Sequence, residues 1–159
     1  MAEMLTVNSY SAAETRLLGE RIAGRLKPGD VLLLYGELGA GKSELTRGIA
    51  KGLGVKETLT SPSFTILNVY ESGRCPLYHF DWYRLKNADE LFELGLDEYL
   101  GSDGIAVVEW AEKCPEAIPE GAMEISLETT GEEQRKIVIK PVISDLFFDE
   151  SEKDEAVGD

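Results

Sequence analysis

Eight consecutive residues, Gly36-Glu37-Leu38-Gly39-Ala40-Gly41-Lys42-Ser43, fit the spacing G-x-x-x-x-G-K-[ST] of a phosphate-binding P-loop. The chemistry that such a loop can do follows from its residue types. A polyphosphate shed of water needs its charges matched. Inward-pointing backbone N–H groups and the N-terminus of a following helix supply that positive potential. Glycines at 36, 39 and 41 let the backbone come close and take up left-handed angles. Lys42 adds a mobile charge for the β- and γ-phosphates, and the Ser43 hydroxyl is a ligand for Mg²⁺.

Phosphoryl chemistry also needs an acid at the end of a neighbouring strand, for the metal or its waters. Two positions qualify: Asp81, ending Leu77-Tyr78-His79-Phe80, and Glu109, ending Ile105-Ala106-Val107-Val108. Thr60-Ser61-Pro62 lies where P-loop proteins keep a loop that senses the γ-phosphate. Arg47, Arg84 and Arg135 are the in-chain cations available to a transferring phosphoryl group. Trp82 and Trp110 each follow a candidate acid and read as packing residues, and the lone His79 reads as core or strand edge. The absence of a guanine-selecting Asn/Thr-Lys-x-Asp favours ATP over GTP. There is no LSGGQ-type signature of a transporter ATPase, and no evident lid of a nucleotide kinase.

The elements that must carry these residues can be read in order. Met4 to Asn8 predicts a strand. Ser11 with Glu14 forms a capping box for a helix to about Leu26, and Lys27-Pro28-Gly29-Asp30 is a turn. Val31 to Tyr35 is a strand leading into the loop, and a helix with Leu45, Ile49 and Leu53 on one face leads out. Phe64 to Glu71 and Cys75 to Asp81 predict an antiparallel hairpin. Asn87 caps a short helix from Ala88 to Leu94, and a second runs to Leu100. Ile105 to Val108 has the unbroken apolar character of a parallel strand covered on both faces. Residues 123–128 and 136–140 alternate as an antiparallel pair turning near Thr130-Gly131. The expected fold is α/β: a single P-loop NTPase-like domain over residues 1–143, with a mixed central sheet flanked by helices. Residues 144–159 read as an acidic, disordered tail.

The formal net charge of the 159 residues is −14. Residues 144–159 hold seven acids and one lysine, so the remainder has 15 bases against 23 acids and is still −8. That balance opposes a nucleic-acid groove built by this chain alone. Cys75 and Cys114 lack metal-ligand spacing and read as free thiols in a reduced cytosol. The chain shows neither a secretory leader nor an apolar run long enough for a membrane, so the expectation is cytoplasmic.

Taken together, the motifs resemble the TsaE (YjeE) family of bacterial tRNA threonylcarbamoyladenosine-biosynthesis ATPases. The likeness runs from about Ser11 to Ile139 and rests on four segments in order. They are Gly36 to Ser43, Thr60-Ser61-Pro62-Ser63-Phe64, His79-Phe80-Asp81-Trp82-Tyr83-Arg84-Leu85, and Val107-Val108-Glu109-Trp110-Ala111-Glu112-Lys113. The family often has Thr where Ser43 and Ser63 stand; both changes keep a hydroxyl. The resemblance implies ATP and Mg²⁺ as cofactors and slow hydrolysis by the chain alone. It implies action with TsaD and TsaB in threonylcarbamoyl transfer to the adenosine beside the anticodon of tRNAs reading codons that begin with A, with tRNA met only through that complex. By position it implies that Lys42 contacts phosphates, that Ser43 and Glu109 hold Mg²⁺, and that Asp81 orients water or binds metal through water. It also implies that Thr60 to Phe64 is a switch-like loop, and that Ser9 to Ala13 with Arg135 flank the adenine. Two other readings use the same loop: a small-molecule or nucleoside kinase, and a nucleotide-gated binding module whose hydrolysis is incidental.

Overall fold

The structure is a computed structural model and describes residues 4–141; the acidic segment 144–159 lies outside them. Seven strands form one mixed sheet in the order β1-β7-β6-β2-β5-β4-β3, the α/β architecture expected from the alternation of apolar runs and helical periods. Contacts divide the chain into two compact units. One comprises Tyr35–Leu53 with described residues 4–25 and 124–141, and the other Leu26–Leu34 with residues 54–123.

In the first unit, β1 (Leu5–Ser9) pairs antiparallel with β7 (Arg135–Lys140), which pairs antiparallel with β6 (Met123–Thr129). The register lines up Leu5, Ile139 and Ile125 in one row and Val7, Ile137 and Leu127 in the next, and all six are buried. Strand alternation alone puts these residues on one face. Helix α1 (Ala12–Ala23) starts at Ser11, whose Oγ accepts from the Glu14 N–H at 3.1 Å. The Glu14 carboxylate accepts from the Tyr10 N–H at 3.3 Å, so the box closes one residue earlier than the standard pattern. The helix stops short of the expected Leu26 because Pro28 disfavours helical angles at Lys27, whose N–H instead donates to the Asp30 carboxylate at 2.8 Å. Leu26 is nonetheless buried.

Helix α2 (Lys42–Gly52) packs on α1 with the backbones in direct contact. A Cβ on Gly48 would stand 2.0 Å from the Arg16 carbonyl oxygen, and one on Gly19 would stand 2.4 Å from that of Leu45. Glycine is the only residue type that fits either position.

In the second unit, β2 (Val31–Tyr35) and β4 (Leu77–Asp81) pair parallel with β5 (Ile105–Glu109), and β3 (Leu67–Tyr70) completes the hairpin antiparallel to β4. Val31 to Leu34, Leu77 to Asp81 and Ile105 to Val108 are buried, as expected for central parallel strands. β3 is shorter than predicted. The Ile66 N–H donates to the Pro62 carbonyl at 2.8 Å and Ile66 has φ 69°, so residues 62–66 form a turn and Phe64 is left exposed. β4 begins after Pro76, which has no N–H to give a ladder. Helix α3 (Ala88–Glu93) carries the predicted Asn87 cap, with Oδ1 accepting from the Glu90 N–H. A 3₁₀ turn over Leu96–Tyr99 follows. Cys75 and Cys114 are both free and buried, and burial pushes the Cys114 thiol up to about 11. Among the described residues, no helix is long and apolar enough to cross a membrane.

Candidate functional site

The glycine loop in the first unit has the backbone its motif demands. Gly36, Gly39 and Gly41 have φ of 152°, 84° and 104°. Gly41 is the N-cap of α2 with no side-chain cap, and the helical ladder begins where the Leu45 N–H donates to the Gly41 carbonyl at 2.9 Å. The amides before it lie at the open, positive end of the helix. A side chain on Gly41 would be strained by its left-handed angle, leaving glycine to make the turn into the helix. Ala40 is buried and its N–H donates to the Glu37 carbonyl at 3.0 Å, which folds the loop over itself. Leu38 is fully exposed at the tip, and Ser43 is exposed on the first turn of α2.

Arg135 comes to this loop. Its Nη2 donates to the Gly39 carbonyl at 3.1 Å, and its Nη1 donates to the carbonyls of Gly131, Glu132 and Gln134 at 3.3, 3.4 and 2.8 Å. Its Nε is buried without a hydrogen-bond partner. Ser9 is paired with Arg135 across β1 and β7, and the Ser9 Oγ lies 2.7 Å from the Thr15 Oγ1. Two stretches singled out from opposite ends of the sequence, Ser9 to Ala13 and Arg135, are thus neighbours. Arg47 is elsewhere: it pairs with Glu44, whose other carboxylate oxygen pairs with Arg16.

In the second unit the two candidate acids are direct partners in the parallel register, Asp81 against Glu109. Asp81 is buried; its Oδ1 accepts from the Tyr83 N–H at 2.9 Å and its Oδ2 from the Ser63 hydroxyl at 3.3 Å. The loop beginning at Thr60 is therefore tied to the acid by a side chain. Thr60 itself is exposed. Its N–H donates to the Tyr70 hydroxyl at 3.0 Å, and its carbonyl and hydroxyl accept from the Asn68 amide at 3.1 and 3.2 Å. Arg84 closes the same loop, with Nε donating to the Ser63 carbonyl at 2.8 Å and the guanidinium 4.2 Å from the centre of the Phe64 ring.

Glu109 has a partner that sequence reasoning passed over. His79 Nε2 is 2.9 Å from the Glu109 Oε2, and the imidazole is buried. The available signal was the strand period: His79 and Asp81 are two apart on β4 and share a face. The tryptophans divide. Trp82 is fully buried, as a packing residue should be, whereas Trp110 is partly exposed, with its ring 4.8 Å from that of Tyr83. Trp110 and Ile66 are the two non-glycine residues with positive φ among the described residues; one follows Glu109 and the other closes the 62–66 turn. Such angles persist where surrounding structure enforces them, often beside functional groups.

No group of three or more His, Cys, Asp or Glu suited to a metal occurs among the described residues. The Ser43 hydroxyl and the Glu109 carboxylate are hard oxygen donors of the type that Mg²⁺ takes, one or two from a protein.

The model of the family "Threonylcarbamoyl adenosine biosynthesis protein TsaE" matches residues 9–137. The chain belongs to the TsaE family. A Bacillus subtilis relative named "tRNA threonylcarbamoyladenosine biosynthesis protein TsaE" is 43% identical over 140 residues, covering 88% of this chain and 87% of its own. A Treponema pallidum protein of the same name is 40% identical over 131 residues, covering 82% and 96%. The crystal structure of Bacillus subtilis YdiB superposes with a TM-score of 0.78 at 38% identity, covering 89% of this chain and 88% of that one. The resemblance read from the four motifs is thereby borne out, as is the fold class.

Proposed function

We propose that this TsaE-family chain is a Mg²⁺-dependent ATPase of tRNA threonylcarbamoyladenosine biosynthesis, weak alone and acting with TsaB and TsaD. It would be required for formation of the threonylcarbamoyl group on the adenosine beside the anticodon of tRNAs reading codons that begin with A. The observation that carries the reading is the left-handed glycine loop opening α2 and running directly into Lys42 and Ser43. The names of the matching family and relatives supply the pathway.

In this reading the loop from Gly36 to Ser43 receives the phosphates on its amides other than that of Ala40, which is held by the Glu37 carbonyl, and the Lys42 ammonium neutralises charge between the β and γ groups. The Ser43 hydroxyl and the Glu109 carboxylate are the oxygens offered to Mg²⁺. When bound, that ion draws charge from the phosphate oxygens. His79 holds one Glu109 oxygen in place. Asp81, fixed by the Tyr83 amide and the Ser63 hydroxyl, orients the attacking water and reports its state to the Thr60–Phe64 loop. Arg47 and Arg84 are engaged with Glu44 and Ser63. That favours a partner-supplied cation, worth about 10³–10⁵ in rate where other NTPases receive one.

The test is reconstitution of the tRNA modification from TsaB, TsaD and this chain, with turnover measured with and without the pair. Slow hydrolysis alone, acceleration by the pair and loss of both activities in Glu109→Ala are expected. Lys42→Ala should weaken ATP binding itself. Equal fast rates with and without the pair would reject the partner dependence. Undiminished turnover in Glu109→Ala would remove that acid from the site.

A further inference from the structure

We propose that Arg135 is a positioning residue that sets the phosphate loop before any nucleotide arrives. The inference rests on the nucleotide-binding reading but concerns a contact within the protein. The Gly39–Ala40 peptide at the loop's tip is pinned from both sides. Its carbonyl accepts from Arg135 Nη2 at 3.1 Å, and its N–H donates to the Glu37 carbonyl at 3.0 Å. A carbonyl free to swing inward would point its negative end at an incoming phosphate. Tied to a guanidinium, it stays out, and the remaining amides present a cradle of one sign.

The anchor at the other end is firm. Nη1 holds three carbonyls of the β6–β7 turn, and Arg135 is paired with Thr129 on one side and Ser9 on the other in the sheet. The planar guanidinium can donate in both directions at once, which a single ammonium nitrogen cannot do with the same geometry. The proposed role is exercised on the polyphosphate through Gly39 and is separate from a contact of Arg135 with the adenine.

Two probes separate these roles. Inorganic tripolyphosphate has the charge of the nucleotide's tail and no base. Arg135→Ala should weaken tripolyphosphate and ATP by the same factor, roughly tenfold, the scale of one charge-assisted hydrogen bond. Amide hydrogen exchange on the nucleotide-free protein supplies a readout that needs no ligand. Peptides covering residues 36–43 should exchange about tenfold faster in the variant, with α1 and β5 unchanged as the control for folding. Arg135→Lys keeps the charge and should show a smaller loss in both measurements, and it carries the test should the alanine variant not fold. Unaltered loop exchange in the folded variants would overturn the proposal, as would a loss confined to ATP with tripolyphosphate binding intact. A wild-type chain that binds neither probe would instead defeat the nucleotide reading, and loop exchange would still decide what Arg135 does.

Discussion

At the scale of single residues, the acids differ in how they are held. Asp81 is held by the Tyr83 amide and the Ser63 hydroxyl, and Glu109 Oε2 is steered by a buried imidazole. Partners of this kind commonly change metal affinity or activity by about 10–100-fold when removed. His79→Ala should therefore raise the Mg²⁺ concentration for half-maximal turnover by about that factor and leave metal-free nucleotide affinity near wild type. His79→Gln retains an N–H donor and should recover part of the loss. Identical Mg²⁺ requirements in all three proteins would show the contact to be packing alone.

At the scale of elements, the crossing of α1 and α2 sets how firmly the loop is mounted. The Gly48 position has no room for even a methyl group, since the Arg16 carbonyl lies in its place. Gly48→Ala should cost about 3 kcal/mol, at the upper end of overpacking effects, because backbone rather than a flexible side chain must yield. Chemical denaturation checks this, and an unchanged midpoint would mean the helices can part cheaply. Local patterns made most of these elements readable: the P-loop, the Ser11 and Asn87 caps, the apolar run of β5 and the alternation in β6 and β7 all lie within short windows. What escaped was set by competition or by distance along the chain. The end of α1 was decided by Pro28 and Asp30, and the start of β3 by the 62–66 turn that drew Ile66 out of the strand. The pairing of β1 with β7 and the bond from His79 to a residue 30 positions later depend on register, which no local pattern encodes. Hence the candidate phosphate loop was legible almost entire, and the contact between His79 and Glu109 was not.

At the scale of the whole molecule, charge decides what the chain can hold unaided. A net charge of −14 repels polyanions at long range, and salt-dependent association with RNA needs several phosphate-neutralising cations. The chain alone should show no tRNA binding at physiological ionic strength, while a complex with TsaB and TsaD should. Filter binding across a salt series checks this, and tight binding by the isolated chain would contradict it. The placement of the two tryptophans has a practical consequence. Trp82 is sealed in the interior, while Trp110, 38% exposed, adjoins Glu109. Intrinsic emission is thus split between a shielded indole and one within reach of a collisional quencher such as iodide. A spectral change on adding magnesium that iodide suppresses would belong to the accessible emitter, which offers a label-free test of the proposed binding beside that carboxylate.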